Sequence, residues 1–244
     1  MKFLTLQETT ADYEAVKDSL ALPNVALTLD DNATHYQPLV PTPSHDFVEI
    51  GGIKWATMNI GATSVTDYGL YFQWGDTQGY TAAQVGSGSG KKAFSWADYK
   101  YCNGTSSVMT KYNSTDGKTV LDPSDDAVTA AWGGNWRMPT TAEFQALGTA
   151  VNTAWTVDYQ GSGVNGLLCT DKTDSSKVLF FPACGSAGDG EAYNVDSYGD
   201  YWSNSLLSGG VRDAWVMGFY SYGASWGYSH NRYIGHAVRG VLGQ

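Results

Sequence analysis

From Asp46 onward, short apolar and aromatic runs are cut every few residues by glycine, serine or asparagine. This punctuation confines the chain to short strands, many turns and few helices. The 244 residues include 29 Gly and 33 aromatics (9 Trp, 16 Tyr, 8 Phe), while charged residues make up only 16%. Such a mixture builds turns and flat contact surfaces. It excludes a coiled coil, a collagen-like rod and a disordered acidic tail, which need other compositions. The length suits one large domain, or one domain with a small appendage, and a core that needs no metal or disulfide staple.

Local patterns place the elements. Phe47–Ile50 and Ile53–Ala56 flank Gly51-Gly52, a two-residue hairpin signal. Leu70 to Trp74 reads as a further strand and residues 84–92, rich in Gly and Ser, as a flexible loop. Asp125 to Trp132 reads as a short helix with acidic residues at its start, ended by Gly133-Gly134. A second helix begins with Thr140 as N-cap and Glu143 three residues on, carries Phe144 and Leu147, and ends near Gly148. Gly166–Thr170 and Lys177–Pro182 form a hairpin across a polar turn. The expected class is therefore α+β, with short antiparallel strands, two short helices and long irregular loops.

Residues 1–44 read differently. Thr9 to Leu20 has a capping signature (Thr9, Asp12) and one apolar face from Tyr13, Val16 and Leu20. Prolines 38, 41 and 43 then make an extended spacer. The segment is either a terminus packed on its own domain or an attachment and oligomerisation peptide held off by that spacer. The division adopted is 1–44 as the attachment segment and 45–244 as the ligand-binding domain.

A formal net charge of −10 makes nucleic acid a poor partner, and an anionic membrane surface repels such a chain. No run approaches the roughly 18 apolar residues needed for membrane insertion. Met1 to Leu6 lacks the basic and apolar regions of a secretion signal, so the expectation is synthesis in a cytoplasm, with the protein either staying there or leaving inside an assembly. Three cysteines (Cys102, Cys169, Cys184) read as reduced, buried thiols. His35, His45, His230 and His236 accompany no G-x-S-x-G elbow, and the two late histidines read as surface or edge residues. Asp125 and Asp126 are explained by a helix start. The acidic run from Asp189 to Asp196 holds oxygen ligands without EF-hand spacing. No phosphate-binding loop is present. The expectation is a non-enzymatic protein with no cofactor and no metal.

Residues 193–233 hold seven Tyr, three Trp and one Phe among Ser, Gly and Asn, the composition of binding loops. The competing reading is an aromatic core. Trp202, Ala214, Val216, Met217, Phe219, Ala237, Val238 and Val241 fit buried strand positions. Tyr220, Tyr222, Trp226 and Tyr228 show no strand period and fit a solvent-facing surface.

Three ordered motifs then carry a resemblance spanning about residues 46–242. They are FVEIGGIKWATMNIGA from Phe47 with YGLYFQWGD from Tyr68; WGGNWRMPT from Trp132 with Glu143-Phe144; and Tyr201-Trp202-Ser203, Ala214-Trp215 and RYIGHAVR from Arg232. Together they resemble the Fibrobacter succinogenes major paralogous domain. The resemblance implies a C-type-lectin-like fold with an N-terminal extension, similar to the variable proteins of diversity-generating retroelements. It lacks the late cysteines of formylglycine-generating enzymes. Carried over by position, the exposed ligand-binding set would be Asn204, Leu206, Asp213, Trp215, Tyr220, Tyr222, Ser225, Trp226, Tyr228 and His230. Arg232, Gly235 and Arg239 would be scaffold. The expected role is a phage virion fibre or decoration protein on the virion surface. It would bind a bacterial surface glycan or protein and attach to other virion proteins through residues 1–44. A homo-oligomer is expected, a trimer by analogy with fibres. The alternatives are an exported bacterial surface adhesin of the same fold and a purely structural capsid decoration protein.

Overall fold

The computed structural model describes residues 45–243. The Thr9–Leu20 helix and the proline-rich spacer lie outside the described residues. Strands β1 (Phe47–Ile50) and β2 (Ile53–Asn59) pair antiparallel, with Ile50 opposite Ile53. Gly51 and Gly52 carry φ of +61° and +76°, and a two-residue turn with both central φ positive favours glycine over any side chain. The carboxyl end closes on this hairpin. Strand β12 (Arg239–Leu242) lies between β2 and β3 (Trp136–Arg137), giving the order β1-β2-β12-β3.

Two α-helices follow from local chemistry. Helix α1 (Ala127–Trp132) starts where Asp126 accepts from the Thr129 N–H at 2.9 Å. The expected start at Asp125 is corrected: residues 123–125 form a 3-10 turn. Asp125 instead accepts from Tyr112 Oη and Lys111 Nζ, so ion pairing accounts for it, and its carboxyl is held far below the usual range. Helix α2 (Thr141–Ala150) opens with a reciprocal cap. Thr140 Oγ1 accepts from the Glu143 N–H at 3.1 Å, and Glu143 Oε2 accepts from the Thr140 N–H at 2.7 Å. Arg137 grips the same carboxylate through both Nη atoms, at 2.7 and 2.6 Å. The helix ends at Ala150, close to Gly148 as expected. A Cβ on Gly148 would come within 2.5 Å of the Trp226 indole, so this glycine makes room for a ring and does not end a helix.

A three-stranded sheet, β4 (Val151–Thr156), β5 (Gly166–Asp171) and β6 (Val178–Pro182), continues directly from α2. A small hairpin, β7 (Ser186–Gly188) and β8 (Glu191–Tyr193), turns at Asp189 and Gly190, with φ of +50° and +84°. That turn geometry accounts for the acid-glycine pair there. The third sheet has the order β11-β10-β9, from β9 (Tyr198–Leu206), β10 (Asp213–Tyr220) and β11 (Gly223–Asn231). Leu70 to Trp74 does not form the expected strand. It makes single bridges from Tyr71 to Tyr80 and from Phe72 to His236, because its partners are irregular segments.

The core explains which faces are hidden. Tyr201, Met217 and Phe219 of the third sheet join a cluster with Trp55, Phe144 and Phe181. Trp202, Ala214 and Val216 join another with Trp74, Tyr112 and Trp136. Both faces of the β9–β11 sheet are thus packed. Each buried aromatic removes roughly 150–250 Å² from water, on the order of 4–6 kcal/mol before entropy. Arg232 and Arg239 are fully buried and pair with no carboxylate among the described residues. Arg232 donates to Tyr99 Oη and to the Tyr112, Val211 and Lys111 carbonyls, at 2.7 to 3.0 Å. Arg239 donates to Asn59 Oδ1 and to the Ala56, Thr57 and Phe180 carbonyls, at 2.9 to 3.1 Å. Gly235 lies under Phe94, where a Cβ would sit 2.5 Å from the ring.

Candidate functional site

The ten residues expected at one exposed surface divide into three groups. Asn204 and Leu206 are buried, at 5% and 7% exposure, and this corrects the expectation. Segments distant in sequence cover β9 from outside. The Leu121 N–H bonds Asn204 O, the Leu206 N–H bonds Thr119 O, and Asn204 Nδ2 donates to Met138 O. Asp213, Trp215, Trp226, Tyr228 and His230 are half-buried and do not form an open face. The Trp226 indole rests on α2 at Gly148. Two residues of β11 (226 and 227) face one of β10, and this bulge breaks the alternation that would have marked the ring as inward. The Tyr228 ring packs beside the Trp202 and Val216 cluster while its hydroxyl donates to Asp200.

Tyr220, Tyr222 and Ser225 remain exposed, Tyr222 at 91%. A residue outside the expected set joins them. Tyr198 is the register partner of Tyr220, and their rings stack at 5.4 Å and 19°. Tyr222 meets Tyr220 edge-on at 6.1 Å. The three rings form a knob at the β10–β11 turn. Beneath it Phe219 is buried across Gly199, where a Cβ would come to 2.1 Å of the ring, so the base of the knob is fixed. Residues 214–231 contain no Lys, Arg, Asp or Glu, 18 positions in a chain of formal charge −10.

A second constellation is polar and buried. Ser186 Oγ donates to Asp200 Oδ2 at 2.7 Å and lies 3.1 Å from His236 Nδ1. His236 Nε2 is 2.8 Å from His230 Nδ1, and the two imidazoles stack at 4.9 Å and 4°. His236 was expected at the surface or a sheet edge but is fully buried. Its main chain pairs with Phe72, its ring meets Trp202 at 4.5 Å, and burial drives its basicity well below that of a free imidazole. These groups do not assemble a nucleophilic triad. Asp200 bonds the serine and not the far side of the imidazole, and Ser186 is 1% exposed, beyond reach of a substrate.

Cys102, Cys169 and Cys184 are buried free thiols, and burial pushes Cys169 and Cys184 up to about 12. Among the described residues, no three His, Cys, Asp or Glu side chains gather as a metal-ligand group. A shallow hollow of about 450 Å³ between residues 106–107 and 209–213 includes Asp213 but no aromatic ring. No protein-family model, curated protein or solved structure matches the chain.

Proposed function

We propose that residues 45–244 form a C-type-lectin-like binding head that adheres to a bacterial surface glycan or protein, and that the protein is a phage virion fibre or decoration protein attached through residues 1–44. The observation that carries this reading is the tyrosine knob of Tyr198, Tyr220 and Tyr222 at one end of a sheet packed on both faces. Exposed tyrosines bring large amphipathic area with only two side-chain torsions to fix, and their hydroxyls meet polar ligand groups. Ser221 and Ser225 supply adaptable hydrogen bonds beside them. A small contact area of this kind binds weakly as one copy. Linking copies in an oligomer, a trimer by analogy with fibres, raises the avidity.

Adsorption of the labelled chain to bacterial envelopes and to arrayed surface glycans tests the reading. Tyr222→Ala is expected to weaken binding by about 30-fold, the effect of losing one anchor of roughly 2 kcal/mol. A chain beginning at residue 45 should still adsorb yet no longer join the virion. Unchanged adsorption by Tyr222→Ala sinks the knob as contact surface, and virion incorporation without residues 1–44 sinks the attachment role.

A further inference from the structure

The buried polar constellation admits one donor–acceptor arrangement when Asp200 is ionised. Ser186 has a single hydroxyl proton and gives it to Asp200, so His236 must present Nδ1–H to the serine oxygen. His236 Nε2 is then a lone pair, and His230 must present Nδ1–H to it. Among the described residues, the outer nitrogen of His230 has no hydrogen-bond partner. The buried partnerless side-chain atoms among the described residues are His45 Nε2, Trp55 Nε1 and Gln73 Oε1, so His230 Nε2 meets water.

We propose that His230, His236, Ser186 and Asp200 form a proton relay that carries one proton from solvent to the buried Asp200 carboxylate and reverses the hydrogen-bonding character of the His230 surface atom. A proton binds His230 Nε2. The Nδ1 proton of His230 passes to His236 Nε2, the Nδ1 proton of His236 passes to Ser186 Oγ, and the serine proton passes to Asp200 Oδ2. Every hydrogen bond survives with its direction reversed, and no imidazolium remains. Tyr228 Oη continues to donate to Asp200 Oδ1. His230 Nε2 changes from acceptor to donor.

The other titratable groups packed here are Tyr228 on β11, Tyr193 on β8, Cys184 before β7 and Tyr233 beyond β11, each with its proton held by burial. Asp189 stands at the β7–β8 turn. No lysine or arginine among the described residues pairs with Asp200. An uncompensated charge on buried His236 would be costly.

Long-range proton–nitrogen NMR of the imidazoles, recorded on the full chain from about pH 8 to about pH 5, reads the tautomers. Both rings are expected to carry the proton on Nδ1 at high pH and on Nε2 at low pH. Asp200→Asn is expected to lock the low-pH tautomers at every pH. Its carbonyl must accept from Tyr228, leaving its amide to donate to Ser186. Doubly protonated His230 with His236 still protonated on Nδ1 overturns the relay, as does Asp200→Asn with Nδ1-protonated rings. Should Asp200→Asn fail to fold, the wild-type tautomers alone decide.

Discussion

Arg239→Met should lower stability by about 3–5 kcal/mol, the effect of removing one partner from a buried charged network. Its guanidinium donates to Asn59 Oδ1 and to three main-chain carbonyls in the interior, joining β2 to β6 through the last strand. Without it those acceptors stay dry and unpaired, at roughly 1–3 kcal/mol each when nothing relaxes. Loss of a cation that burial already disfavours offsets part of this. A melting temperature lower by roughly 10 °C is the expected readout for a domain of this size. Arg239→Lys should fall nearly as far, because one ammonium cannot span the four acceptors. A shift under about 2 °C in either variant would show that the acceptors find other partners.

Acid should destabilise the domain well before the ion-paired carboxylates of Asp125 and Glu143 protonate. His236 is neutral when folded because burial lowers its basicity, whereas in the unfolded chain it titrates near 6.5. Below that value the unfolded state binds one more proton, so stability falls as pH falls, by about 1.4 kcal/mol per unit. His45, also lowered by burial, adds in the same direction. Asp125 and Glu143, whose carboxyls are held down by their cationic partners, act in a separate window below about pH 4. Asp126, raised by burial, opposes them there. Denaturant midpoints measured from about pH 8 to about pH 5 should slope downward, and His236→Gln should remove one proton from that slope. A flat wild-type profile would mean that His236 protonates in the folded protein.

Local chemistry was legible in the sequence. The Gly51-Gly52 turn needs two positive φ angles, and the Thr140–Glu143 cap lies within one turn of helix, so neighbouring residues alone announce both. The coverage of the β9–β11 sheet was not legible. Asn204 and Leu206 are hidden by residues 119–121 and 138–139, which only the tertiary fold brings near. Trp226 sits among serine and glycine as an exposed ring would, yet a bulge and a helical glycine conceal it. Tyr198 was missed because its place in the knob depends on strand register opposite Tyr220. The relay escaped because Ser186, Asp200 and His236 are spread over 50 positions with no motif spacing.

On the proposed reading, Tyr198, Tyr220 and Tyr222 touch a partner while the buried rings of residues 193–233 hold the fold. The triple variant Tyr198→Ser, Tyr220→Ser, Tyr222→Ser, followed by thermal melting and by adsorption to the same bacterial surface, tests it most directly. A melting temperature within about 3 °C of wild type and binding reduced at least 100-fold are expected. A fall of about 10 °C, or adsorption that survives intact, would contradict it.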